Sequence, residues 1–154
     1  MPLLVLGLNH DSAPLALRER AAFAPTELSE ALADARRVGG LAEVVVLSTC
    51  NRTEIITSGA HTADALTRWL AGRTALDADT LQAHGYLLED EAAVRHVFRV
   101  AAGLDSMVLG EPQILGQVKQ AFADADGAGT VGPTLRRLFQ KANEAAKRAR
   151  SETD

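Results

Sequence analysis

Glu43-Val44-Val45-Val46-Leu47-Ser48-Thr49-Cys50-Asn51-Arg52-Thr53-Glu54-Ile55-Ile56-Thr57-Ser58 reads as a strand, a polar turn and a second strand. Residues 43–48 are β-branched and apolar at their centre, and Ile55-Ile56-Thr57 gives 54–58 the same character. The short polar connection around Asn51 makes the pair a hairpin. Its turn holds the chain's only cysteine, Cys50, with Arg52 two residues on. A thiol at a strand end beside a guanidinium has the setting of an activated nucleophile. The thiolate is the reactive form, and nearby positive charge favours it.

Outward from the hairpin, Leu3 to Leu8 is an apolar strand that ends at Asn9-His10. Two helices are expected between it and the hairpin. One is short, over 14–22, with Pro14 at its start; the other, over 26–38, has Leu28, Ala31, Leu32 and Ala35 on one face and stops at Gly39-Gly40. Beyond the hairpin, 62–71 reads as a helix with Leu66, Trp69 and Leu70 inward, and 77–83 as a short one. Tyr86-Leu87-Leu88 is a short fourth strand. Residues 89–102 form a helix with Val94, Val97, Phe98 and Ala101 on its core face. After a break at 103–110, Pro112 opens a helix to about 126, with Ile114, Val118, Ala121 and Phe122 inward. Residues 127–132 are a linker, and Pro133 opens the last helix, with Leu135, Leu138, Phe139, Ala142 and Ala146 on one face. The order is β-α-α-β-β-α-α-β followed by helices. It predicts an α+β fold, a mostly antiparallel four-stranded sheet with helices packed on one side.

The 154 residues suit one domain with a proper core, and 47% hydrophobic against 23% charged residues is a globular composition. A net charge of −4 gives no global basic field for nucleic acid. One cysteine excludes an intramolecular disulfide framework and a cysteine-rich zinc site, and no metal site is expected. The apolar start lacks the basic flank of a signal peptide, and no apolar run reaches membrane-spanning length, so the expected compartment is the cytoplasm. No Gly-x-Gly-x-x-Gly follows a strand, so no dinucleotide site is expected within the chain.

Among histidines, His10 and His96 are the candidate bases; His61 and His84 lie in polar loop-like stretches. His96 falls on the far side of its helix from Val94, Val97, Phe98 and Ala101, facing either solvent or a cleft made by another part of the chain. Arg52 could lower the thiol's pKa, grip a carboxylate in bidentate fashion, or serve as a turn charge. The last helix carries Arg136, Arg137, Lys141, Lys147, Arg148 and Arg150 against the single Glu144. From the residues themselves, a cysteine-dependent thioesterase or hydrolase and a non-catalytic RNA-binding module both stay open.

Three longer runs narrow this. They are Gly7-Leu8-Asn9-His10 with Ala13-Pro14 and Leu17-Arg18-Glu19-Arg20; Ser48-Thr49-Cys50-Asn51-Arg52-Thr53-Glu54; and Gly103-Leu104-Asp105-Ser106-Met107-Val108-Leu109-Gly110-Glu111-Pro112-Gln113-Ile114-Leu115-Gly116-Gln117-Val118-Lys119. Together, and in this order, they resemble glutamyl-tRNA reductase, the family that begins tetrapyrrole (haem) synthesis. The resemblance covers essentially the whole chain, without departures in the motifs.

The resemblance implies that the chain, 1–154, is the family's N-terminal catalytic domain, with an NADPH-binding Rossmann domain and a helical dimerisation domain lying outside it. It implies that Cys50 attacks the glutamyl-tRNA ester to form a glutamyl thioester, which NADPH then reduces to glutamate-1-semialdehyde. It makes His96 the assisting catalytic residue and Thr49, Arg52, Ser106, Glu111 and Gln117 the substrate-binding set, with Asn9, His10, Asn51 and Glu54 supporting them. Further implications are a homodimer in the full-length enzyme and glutamate-1-semialdehyde aminomutase as the acceptor of the product. The domain alone should bind no cofactor and lack reductase activity.

Overall fold

The computed structural model describes residues 2–59, 63–104 and 113–153, the side chains of 150–153 excepted. Its elements are β1 (Leu3–Asn9), α1 (Leu15–Ala21), α2 (Leu28–Arg37), β2 (Glu43–Ser48), β3 (Arg52–Ser58), α3 (Ala63–Arg73), α4 (Ala78–His84), β4 (Tyr86–Glu89), α5 (Asp90–Ala101), α6 (Ile114–Gly127) and α7 (Pro133–Thr153). The strands form one sheet in the order β2-β3-β1-β4, and every pairing is antiparallel. The expected α+β class, element order and hairpin are all present.

The expectation of helices on one side is corrected. β1, β2 and β3 are buried along nearly their whole length. Successive side chains of a strand point to opposite faces, so both faces of the sheet are covered. The continuous apolar runs Leu3-Leu4-Val5-Leu6 and Val44-Val45-Val46-Leu47 are what two-sided burial requires. On one face lie α5 and α7, reached by Glu54 and Glu43 respectively. On the other lie the segments near Ser48, Leu6 and Leu87: Phe23 donates its N–H to Ser48 Oγ, and α3 and α4 pack over Leu6 and Leu87. α2 joins this layer through Asp34, which accepts from Trp69 Nε1 at 3.0 Å, while Phe23 stacks on Trp69.

Glu43 and Thr130 fix the helical layer to the edge strand. Glu43 is buried, and its Oε1 accepts the N–H groups of Gly132 at 2.8 Å and Leu135 at 2.9 Å. It thus caps the start of α7 from a strand some 90 residues earlier, with an anion at the positive end of the helix dipole. A side chain at Gly132 would meet the Glu43 carboxyl at 2.8 Å, so glycine there leaves room for the cap. Residues 127–132, expected as a linker, have a second use. Thr130 accepts from Val44 N and donates its hydroxyl to Val44 O, both at 2.9 Å, which closes part of the exposed edge of β2. The corner is held outside by Arg136, which bonds Asp126 at 2.6 Å and lies over the Phe122 ring. That bond holds the Asp126 carboxyl below the usual aspartate range.

β4 runs into α5 without a loop. Asp90 makes the junction at φ 50°, a left-handed conformation that aspartate tolerates better than most residues. Its carboxyl accepts the Leu3 N–H at 3.2 Å, which pins the start of α5 to β1. The buried stripe of α5 is Ala93, Val97, Val100 and Ala101. This corrects the expected face: Val94 is exposed and Phe98 half-buried. The true stripe is rotated toward His96, which sits roughly 85° from its centre at 100° per residue.

One row of the sheet is unusual. Gly7 of β1 stands between Glu54 of β3 and Tyr86 of β4. A Cβ on Gly7 would lie 2.9 Å from both Glu54 Cγ and Tyr86 Oη, so a glycine mid-strand opens the space that these two side chains fill.

Two outcomes follow for stability. Glu43→Ala should lower unfolding free energy by about 2–3 kcal/mol and Glu43→Gln by about 1, measured by urea denaturation, because glutamine keeps an acceptor but loses the charge. Gly7→Ala should cost about 1–3 kcal/mol through overpacking; an unchanged urea midpoint would mean that the row is looser than these distances.

Candidate active site

The β2–β3 turn is built by Thr49. Its N–H donates to Arg52 O at 2.8 Å, as a hairpin closure requires. The reciprocal bond is made by the side chain: Thr49 Oγ1 accepts the N–H groups of Asn51 at 3.1 Å and Arg52 at 3.2 Å. A threonine hydroxyl thus substitutes for a backbone acceptor. Cys50 and Asn51 are left at the tip, with Cys50 exposed and free. Arg18 of α1 donates to the Cys50 carbonyl at 3.3 Å, bracing the tip from outside the hairpin.

Arg52 belongs to β3, two residues earlier than the expected strand start, and pairs with Asn9 of β1. Its side chain is only 1% exposed, and Nη1 lies 3.4 Å from Glu54 Oε2. Glu54 is equally buried, at 2%. The same Oε2 also meets Tyr86 Oη and His96 Nε2 in short contacts. Three polar side chains from β3, β4 and α5 therefore converge on one carboxylate oxygen. A buried carboxylate needs such partners, because an unpaired one would be strongly destabilising. The Tyr86 and His96 rings lie 5.3 Å apart at 57°. His96 is 11% exposed and turns to Glu54 and Tyr86 rather than to solvent.

Asn9 folds back on its own turn. Its Oδ1 accepts the N–H groups of Asp11 at 2.9 Å and Ser12 at 3.0 Å, and Ser12 Oγ accepts from Asn9 N at 3.0 Å. The His10 side chain is 9% exposed, with Nε2 3.5 Å from Asp11 Oδ2, and its Nδ1 is enclosed with no partner among the described residues. Gln117 is half-buried on α6, and its Oε1 likewise has no partner among the described residues. It lines a groove of about 570 Å³ between α6, the end of β2 and the segment from Phe23 to Ser29. Ser48, next to Thr49, lines the same groove. Ser106 and Glu111, expected to bind substrate, lie outside the described residues, as does Pro112.

The structure thus joins Arg52, Glu54 and His96 directly, and gives Thr49, Asn51 and Cys50 one turn. Tyr86, Gly7 and Arg18 belong to the arrangement, but reading the sequence gave them no place in it. An isolated glycine inside an apolar strand is the signal for Gly7; Tyr86 has none beyond its strand. Among the described residues no group of three or more His, Cys, Asp or Glu could hold a metal, and no helix is long and apolar enough to cross a membrane.

Residues 6–153 match the family model described as Glutamyl-tRNAGlu reductase, N-terminal domain. The chain is 53% identical over 154 residues to the glutamyl-tRNA reductase of Pseudomonas fluorescens, covering 99% of this chain and 36% of that protein. It is 50% identical over 155 residues to that of Pseudoalteromonas atlantica, covering 100% of this chain and 37% of that one. The solved glutamyl-tRNA reductase from Methanopyrus kandleri superposes with a TM-score of 0.82 at 36% identity, over 97% of this chain and 34% of that one. The chain spans little more than a third of the length of these relatives. By sequence over almost its whole length, and by fold, it belongs to the glutamyl-tRNA reductase N-terminal domain family.

Proposed function

We propose that this chain is the part of an NADPH-dependent glutamyl-tRNA reductase that takes the glutamyl group from tRNA onto Cys50. The observation that carries this reading is the placement of the only cysteine. It is exposed at the tip of a turn that Thr49 and Arg18 hold, and the same hairpin leads into the buried Arg52–Glu54–His96 cluster. A nucleophile on a fixed turn can meet an ester at the end of a large polynucleotide, which a thiol buried in the core could not.

The Cys50 thiolate attacks the ester carbonyl carbon, the bond to the terminal ribose oxygen breaks, and that oxygen leaves with a proton as free tRNA. The product on the protein is a glutamyl thioester, which accepts hydride far more readily than a carboxylate. His96 handles the proton of the departing ribose or polarises the carbonyl. Arg52 grips the glutamyl carboxylate, with Thr49, Ser106, Glu111 and Gln117 completing the binding set. Asn9, His10, Asn51 and Glu54 hold these groups in place. Hydride would come from NADPH carried by a further domain of a longer protein, releasing glutamate-1-semialdehyde and regenerating the thiolate. The full-length protein in this reading is a cytoplasmic homodimer that passes its product to the aminomutase. Without a hydride donor, water slowly hydrolyses the thioester, so the chain by itself releases glutamate and makes no semialdehyde.

Mixing the chain with glutamyl-tRNA and measuring its intact mass should reveal one glutamyl adduct, mapped to Cys50 by peptide analysis. Cys50→Ser should abolish the adduct and bring glutamate release down to the uncatalysed rate. Unchanged release by that variant would reject Cys50 as the nucleophile.

A further inference from the structure

The contacts around Glu54 carry more than burial. Arg52 is a donor only, and the Tyr86 hydroxyl meets a carboxylate oxygen to which its natural contribution is its proton. An oxygen that receives both is an acceptor. With Glu54 ionised, the third group on it, His96 Nε2, carries a proton and donates as well. The neutral imidazole with a proton on Nε2 carries its lone pair on Nδ1. No bond to His96 Nδ1 is seen among the described residues, and the imidazole keeps some exposure.

We propose that Tyr86 and Glu54 are positioning residues for His96, fixing the imidazole with Nε2–H on Glu54 so that Nδ1 is the nitrogen that works on the substrate. This rests on the reading of His96 as the assisting residue given above.

The geometry supports Tyr86 as a built part of this device. It comes from β4, whereas Glu54 comes from β3, and β1 lies between them. The two can touch because Gly7 leaves the intervening position empty. The tyrosine ring also lies 5.3 Å from the imidazole, tilted by 57°, so it limits ring rotation as well as sharing the carboxylate. Orientation by a carboxylate is the usual way in which a histidine has one nitrogen committed and the other left to act.

The test uses the intact chain with ¹⁵N-labelled histidine. Long-range ¹H–¹⁵N correlation spectra distinguish the two neutral tautomers, and His96→Gln assigns the signals. The expected result is a His96 signal with the proton on Nε2 and not on Nδ1 in the wild type, and a mixture of the two forms in Glu54→Gln and Tyr86→Phe. In single-turnover acylation by glutamyl-tRNA, Tyr86→Phe should slow the maximal rate about tenfold, with the half-saturating concentration nearly unchanged. A wild-type His96 protonated on Nδ1 would overturn the proposal. So would a Tyr86→Phe variant with unchanged tautomer populations and unchanged rate. A wild type that forms no Cys50 adduct would instead reject the functional reading, and the spectra would still decide the tautomer.

Discussion

The Glu54 carboxylate is the constraint around which this sheet is arranged. A charge 2% exposed in the middle of a sheet must be matched at close range. Arg52 supplies the opposite charge from the same strand and face, two residues away. Tyr86 and His96 supply further hydrogen bonds from β4 and α5. Each requirement propagates outward. Tyr86 can reach only across a glycine, so β1 carries Gly7. His96 can reach only if α5 crosses the sheet at the right height, and Asp90 fixes that height through its bond to Leu3 N. The order β3-β1-β4 is what brings the three partners to one oxygen.

Glu43 on the neighbouring strand shows the same physics put to a different use. It too is buried on that face, and it too is satisfied by donors distant in sequence. Its donors, however, are backbone groups at the start of α7, which have no other acceptor within the helix. Nothing mobile or reactive is involved, so Glu43 reads as architecture. Glu54 differs because all three of its partners are side chains, and one of them, His96, can change protonation during chemistry. The contrast separates a structural buried acid from one coupled to function, using the identity of the donors alone.

Much of this was legible in the chain. The apolar runs gave the strands, Pro133 gave the last helix, and the polar turn between 48 and 54 gave the hairpin with Cys50 on it. Two-sided burial is also written in Val44 to Leu47, which does not alternate, whereas the element order by itself points to one covered face. The α5 stripe differs from the expected one for a physical reason. Val94 is as apolar as Val97, so periodicity could not tell which edge of a wide stripe faces the sheet, and His96 lies on the edge that does. Thr49 is expected to bind substrate; what its hydroxyl does in the structure is close the turn, a bond that depends on backbone geometry invisible to spacing. Tyr86 was unreadable because its partner lies 32 residues earlier and two strands away.

Arg52 draws these strands together. Its guanidinium faces Glu54, which answers part of its charge before any substrate arrives. A substrate carboxylate bound there would meet an ion pair rather than a bare cation, and Coulomb attraction would be weaker than with Arg52 alone. The planar guanidinium carries five donors, however, and can serve two carboxylates at once with fixed geometry. Glu54 then sets the plane of the guanidinium as it sets the plane of the imidazole. In this reading one buried acid aligns both the group that grips the substrate's carboxylate and the group that assists at its carbonyl. Loss of Glu54 would disturb both together, so the effects of substituting Arg52 and His96 should be coupled rather than additive, as expected for residues sharing one partner.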